Sequence, residues 1–244
     1  MHIPHSSTFI PEHYNTRWIG DPDEAIRILT DHYTDELFDY QAAHCVVSPI
    51  SRIVCDVERF ETGEEMEERF GMGIVYERDH HQNILREVTT DIKKEIVEGY
   101  YRPHHRALYE AVTEELSKHG KAVIVDCHSF NDEQLPHVDN TMRPDFCIGS
   151  DSFHTPLELV EQLVKYLNDC GYCVTVNEPF AGTIVPLEYY HKDQAVISVM
   201  IEVNKRLYLD DQIQKNREFE TIKAIIAELL KIISAFKTDY VHIV

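Results

Sequence analysis

Apolar positions along the chain fall into two kinds of run. Short, β-branched runs mark strands: Val123–Val125 in KAVIVDCHSF, Phe146–Ile148, Cys173–Val176 and, longest of all, Ala195–Val203 in AVISVMIEV. Val46–Val57 (VVSPISRIVCDV) alternates and reads as extended before it closes on the charged DVER. Helical spacing covers Pro22–Tyr40, with Ile26, Leu29, Leu37 and Phe38 among its apolar positions and Thr30-Asp31 placed to cap a second helical piece. It also covers Asp79–Tyr100, Pro103–Lys118 with proline in its first turn, Pro156–Asn168 and Phe219–Phe236. Between them, Phe60–Asp79 is rich in Glu and Gly and is expected to be an irregular loop, a candidate lid. Strands alternating with helices of this length predict an α/β sandwich with a largely parallel or mixed sheet. No repeat or Gly/Ser/Pro linker divides the sequence, so residues 1–244 are expected to form one domain.

Charge narrows the function classes. The formal net charge of −20 opposes binding to nucleic acid or to an anionic membrane surface. No apolar run reaches the length of a membrane span and no basic-then-apolar leader opens the chain, so a cytoplasmic protein is expected. Six cysteines are too few for a disulfide scaffold in 244 residues. Cys55, Cys127, Cys147 and Cys173 lie in apolar runs and are expected to be buried thiols. Cys170 and Cys173 have C-x-x-C spacing, but there a helix ends at Gly171 and a strand begins. That order is the reverse of the one in which a helix N-terminus activates a thiol, so a thiol oxidoreductase is a distant reading.

Chemistry collects where strands yield to polar residues. His5 follows a short apolar stub, the Asp56/Glu58/Arg59 group closes an extended run, Asp126 and His128 follow Ala122–Val125, and Glu202 follows seven apolar-strand residues. Strand carboxyl ends are where open α/β sheets bind ligands. His80-His81 and His104-His105 lie in polar helical surroundings and read as solvated. Glu202 is expensive to place in a buried strand unless it is functional or paired with Lys205 or Arg206 just beyond. A catalytic zinc takes three protein ligands and keeps one position open. His5 and His128 would supply two. Thr8, three residues after His5, rules out His-x-x-Glu, so the third is sought in Asp31, with Asp56 and Asp35 as alternatives. Asp31 is equally placed to be a helix N-cap. A carboxylate such as Glu202 beside metal-activated water completes a hydrolase.

The segments PHSS, TDHYTDELF, SRIVCDVERF, YRPHHRAL, VDCHSF, NEPFAGTIV and VMIEVNKRLYLD, in that order, resemble the N-formylglutamate amidohydrolase family from Pro4 to Asp211. The resemblance implies a three-layer α/β/α sandwich around a mixed, largely parallel sheet, related to the zinc carboxypeptidases and aspartoacylase. It implies hydrolysis of N-formyl-L-glutamate to formate and L-glutamate, a step of histidine catabolism, with Zn2+ or another divalent metal as cofactor. His5 and His128 resemble the family's metal-binding histidines, and Asp31 falls on the aspartate of a segment usually reading TDWH. Glu202 falls on the general base, and Arg59 on the arginine of D-L-N-R, which helps hold the substrate carboxylate or the reacting carbonyl. Arg102 and His105, where the family reads R-P-Y-H, are implied to line the site, and Asn177 and Gly182 to shape a substrate-side loop.

Two departures stand out. Glu58 replaces the asparagine of D-L-N-R, which would repel an acidic substrate unless Lys192 or Arg143 compensates. Relatives carry a full strand before PHSS, whereas Met1-His2-Ile3 is too short for one. A trimmed start and a weakened His5 loop are therefore expected. The alternatives are a metallohydrolase of another N-acyl amino acid or small amide, and a non-catalytic binding module on the same fold. The sequence assigns no oligomeric state.

Overall fold

The longest apolar runs become the two central strands of a six-stranded sheet. The computed structural model describes residues 1–41, 43–61, 66–132 and 143–236. Its strands are β1 (His2–Ile3), β2 (Val46–Val47), β3 (Ala122–Phe130), β4 (Phe146–Gly149), β5 (Val174–Val176) and β6 (Val196–Asn204), in the spatial order β2-β1-β3-β6-β4-β5. β2, β1, β3 and β6 run parallel, and β4 turns antiparallel to β6 while pairing parallel with β5. Helices are α1 (Pro22–Leu29), α2 (Thr34–Leu37), α3 (Met66–Arg69), α4 (Thr90–Ile96), α5 (Arg102–His119), α6 (Leu157–Asp169) and α7 (Phe219–Ala235).

Side-chain alternation assigns the layers. Val125 and Cys127 of β3, with Ile197, Val199, Ile201 and Val203 of β6, pack against α6 and α7. Ala122, Ile124 and Val196 face the other way, onto Leu108 and Val112 of α5. This is the expected α/β/α sandwich around a mixed, largely parallel sheet. The same alternation puts Asp126, His128 and Glu202 on the α5 side, with His128 level with Glu202 in the β3–β6 ladder. β3 continues to Phe130, so His128 lies inside the strand rather than beyond its end.

Several expectations are corrected. Met1-His2-Ile3 does make an inner strand: β1 is short, but β2 and β3 flank it and supply ladder partners on both sides. The Pro22–Tyr40 helix breaks after Leu29, and Tyr33 takes φ 63° before α2 begins. Only Val46–Val47 of the long extended run is strand, because Ser51–Cys55 turns on itself through Val54 N–H and Cys55 N–H to the Ser51 carbonyl. Residues 79–88 are irregular, folded around Asp79, whose carboxylate accepts from His81 N–H and Asn83 N–H. Helix starts only at Thr90, capped by Thr89, and continues through a π-helical stretch at Val97–Tyr101 into α5. Pro103 therefore sits just after a π segment, where looser backbone pairing tolerates its missing N–H. His104 and His80 are buried rather than solvated, and Cys173 is exposed. Cys55, Cys127 and Cys147 are buried as expected. Residues 62–65 of the candidate lid lie outside the described residues.

Leu229 is wholly enclosed in the apolar cluster on the α6–α7 face. Leu229→Ala should cost about 3 kcal/mol in urea unfolding, with the m-value unchanged.

Candidate active site

Four parallel strands end together, and the segments leaving them converge on one cavity of about 420 Å³. It is lined by His5 after β1, Arg52, Glu58 and Arg59 after β2, His128 in β3, Glu202 in β6 and Asp31 from the α1–α2 break. Carboxyl-end placement follows from the parallel arrangement, which aligns these exits on one edge.

Each of the two cavity histidines is fixed by a carboxylate behind it. His5 Nε2 lies 2.8 Å from Asp56 Oδ1, and His128 Nε2 lies 3.0 Å from Asp126 Oδ1. Both rings thereby donate through Nε2 and turn Nδ1 toward Asp31, whose Oδ2 is 3.6 Å from His5 Nδ1 and 3.2 Å from His128 Nδ1. Asp31 is not the side-chain cap of α2: its own N–H bonds to the His5 carbonyl, and its carboxylate faces the imidazoles. His5 Nδ1 is buried and, among the described residues, has no hydrogen-bond partner. An unpartnered buried nitrogen is costly. Two Nδ1 atoms and one carboxylate oxygen, all within 4.8 Å of one another, form the donor set that a divalent metal takes. Donors about 2.1 Å from a tetrahedral ion are roughly 3.4 Å apart, and the Asp31 separations bracket that value. The residues present therefore fit a metal.

Electrostatics follow from the same burial. Burial alone would raise the Asp56 carboxyl, but Arg52, Arg59 and His5 hold it well below the usual carboxylate range. Arg52 and Tyr76 both bond Asp56 Oδ2, at 2.8 and 2.7 Å, and the Glu58 N–H reaches Oδ1. With these partners both Asp56 oxygens are engaged, and Oδ1 stands behind His5. Burial would lower His128, yet Asp126 and Asp31 carry it well above its ordinary value. Glu202 moves the other way: burial pushes its carboxyl up to about 8, and Oε2 has no hydrogen-bond partner among the described residues. The alternative role for Glu202, a pairing with Lys205 or Arg206, is not taken among the described residues. Lys205 Nζ bonds the Ile28 carbonyl, and Arg206 binds Asp132 and Asp145.

Not every residue singled out in the sequence reaches the cavity. Arg102 is exposed and pairs with Glu98 and Glu61, because its place at the start of α5 faces outward. His105 donates from Nε2 to the Val57 carbonyl and so supports the Arg52–Arg59 loop from behind. Asn177, with φ 57°, accepts from Ser150 N–H and Gly182 N–H and shapes the loop whose Glu178–Ala181 stretch does line the cavity. Gly149 admits that loop, since a Cβ there would collide with the Gly182 carbonyl. Asp35 is exposed on α2, and neither Lys192 nor Arg143 lines the cavity.

Sequence reading missed four contributors. His2 is fully buried, with Nδ1 2.8 Å from Asp126 Oδ1 and Nε2 2.8 Å from His104 Nε2. Arg52 was legible only as the i, i+4 partner of Asp56, and Lys205 only as the cation three residues past Glu202. Arg86 is buried without a carboxylate and bonds the Ile53 and Val54 carbonyls, which pins the loop from below.

The sequence profile of the N-formylglutamate amidohydrolase family matches residues 1–209. No curated protein sequence matches. Among solved structures, N-formylglutamate amidohydrolase from Ralstonia eutropha JMP134 is similar, with TM-score 0.78 and 23% identity over 96% of this chain and 91% of that one. The gene product Atu2144 from Agrobacterium tumefaciens is also similar, with TM-score 0.69 and 19% identity over 96% of this chain and 89% of that one. These identities speak to the fold, which they share. Among the described residues, no helix is long and apolar enough to cross a membrane. The profile match covers most of the sequence and all of the cavity's lining residues: the chain belongs to the N-formylglutamate amidohydrolase family.

Proposed function

We propose that the protein is a zinc-dependent amidohydrolase that cleaves N-formyl-L-glutamate to formate and L-glutamate. Family membership supports the reaction class. One observation supports the metal: the buried, unpartnered His5 Nδ1 faces Asp31 and His128 in the cavity that also holds Glu202. A divalent ion held by His5, Asp31 and His128 would polarise the formyl carbonyl and acidify water beside it.

Glu202 is the general base. Its free Oε2 takes a proton from water and later delivers it to the departing amine nitrogen. Burial that raises its basicity makes it suited to hold that proton between the two steps. Arg59 binds the substrate carboxylate or the developing oxyanion; it is already oriented by its Nε bond to the Met72 carbonyl. Arg52 and Lys205 add positive charge to the same cavity, suiting it to a substrate with two carboxylates. The His128–Asp126 and His5–Asp56 pairs keep both ligand nitrogens in the required tautomer. A metal-dependent hydrolase in a cytoplasmic histidine-degrading route is the setting this reading favours.

Formate release from N-formyl-L-glutamate, measured with and without chelator, tests the proposal; no release from zinc-loaded protein would refute it. Glu202→Gln should lower kcat by about 100-fold or more with metal content intact. Asp31→Asn should lose metal, and Asp126→Asn should weaken metal affinity by about 10- to 100-fold in chelator competition. The Glu202 shift also sets a stability trend for metal-free protein. A carboxyl raised from 4.5 to about 8 favours the folded state while protonated, and that advantage is lost as pH rises through this window. Urea titrations between pH 4.5 and 8 should therefore show a decline that Glu202→Gln removes.

A further inference from the structure

Glu58 brings a carboxylate to a cavity proposed to take an acidic substrate. It lines the cavity with a side chain 18% exposed, yet its Oε1 is turned inward and buried. That oxygen lies 3.1 Å from His2 Nδ1 and 3.8 Å from His128 Nε2. His2 is itself anchored on both sides, by Asp126 through Nδ1 and by His104 through Nε2. Asp126 in turn is fixed by the Ile184 N–H on Oδ2.

His2, Glu58 and Asp126 also have the composition of a cation site. Their spacing argues for a proton instead. The His2 Nδ1 separations of 2.8 and 3.1 Å are those of hydrogen-bonded and ion-paired atoms. They fall below the roughly 3.4 Å between donors on a tetrahedral zinc. Burial would depress the His2 imidazole, but Asp126 and Glu58 together raise it to about 9, so His2 carries the positive charge itself.

We infer that His2 is a specificity-determining positioning residue. It holds the Glu58 carboxylate against the buried histidines and so keeps that charge from opposing an acidic substrate side chain. The inference rests on the proposed hydrolysis of N-formylglutamate. It assigns β1 a second task beside carrying His5: its fully buried imidazole is the counter-charge for the loop after β2.

The test compares KM for N-formyl-L-glutamate with KM for the isosteric, neutral N-formyl-L-glutamine. His2→Asn keeps a donor near the Nδ1 position and removes the charge. It should raise KM for N-formyl-L-glutamate by roughly tenfold while KM for N-formyl-L-glutamine stays within about twofold. Adding Glu58→Gln to that variant should bring the ratio of the two KM values back toward that of the wild type, which a merely structural role of His2 does not predict. His104→Asn removes the support on Nε2 and should shift the ratio the same way by a smaller factor, which serves if His2→Asn does not fold. Equal changes for both substrates, or no rescue by Glu58→Gln, overturn the inference while the proposed reaction stands. Two metal equivalents per chain, one of them lost in His2→Asn, overturn it in favour of a second ion. Wild-type protein that hydrolyses neither substrate overturns both.

Discussion

Two imidazoles, each tied through Nε2 to a carboxylate with no access to water, set the conditions for everything else in this site. His5 rests on Asp56 and His128 on Asp126, and those bonds decide which nitrogen faces Asp31. Without the carboxylates either ring could flip or change tautomer, and the donor set would not persist. The two carboxylates are placed by very different means. Asp126 comes in the middle of the longest parallel ladder, where the backbone has no freedom. Asp56 comes on a loop that must be held by side chains.

That loop explains much of the buried polarity around the site. Arg52 and Tyr76 bond the Asp56 carboxylate, and Arg59 stands close to it. Arg86 takes the Ile53 and Val54 carbonyls, Tyr101 the Arg59 carbonyl and His105 the Val57 carbonyl. A network of this kind rigidifies a segment that has no secondary structure of its own, provided its members are satisfied. Among the described residues, buried side-chain atoms without a hydrogen-bond partner occur in the cavity, at His5 Nδ1 and Glu202 Oε2, and also away from it, at Trp18 Nε1, Thr30 Oγ1, Ser51 Oγ and Arg86 Nη1. What distinguishes the two in the cavity is their place beside Asp31 and His128, where a bound group can satisfy them.

The strands and long helices were legible because their periodicity is strong and their burial one-sided. β6 and α7 came out within a residue of their expected ends. The residues of irregular stretches were not: 79–88 has helix-compatible composition, but the Asp79 carboxylate captures local N–H groups and holds it as a loop. Asp31 and Glu202 each had a plausible local role in the sequence, a cap and a salt bridge. Neither role is taken, because the long-range partners of Asp31 and the isolation of Glu202 depend on which strands lie side by side.

The sequence by itself determined the layers, the strand carboxyl ends as the place for chemistry, and His5, Asp31, His128 and Glu202 as the residues to watch. Local period and residue type are enough for that, since alternation along a strand fixes which side chains share a face. Only the tertiary structure decided that His2–Ile3 takes an inner place in the sheet, that Asp56 stands behind His5, and that Glu58 leans on His2. Those outcomes depend on atoms brought together from β1, the loop after β2, β3 and α5. Their partners lie between 51 and 124 residues apart for His5–Asp56, His2–His104 and His2–Asp126, and no local pattern encodes contacts at that range.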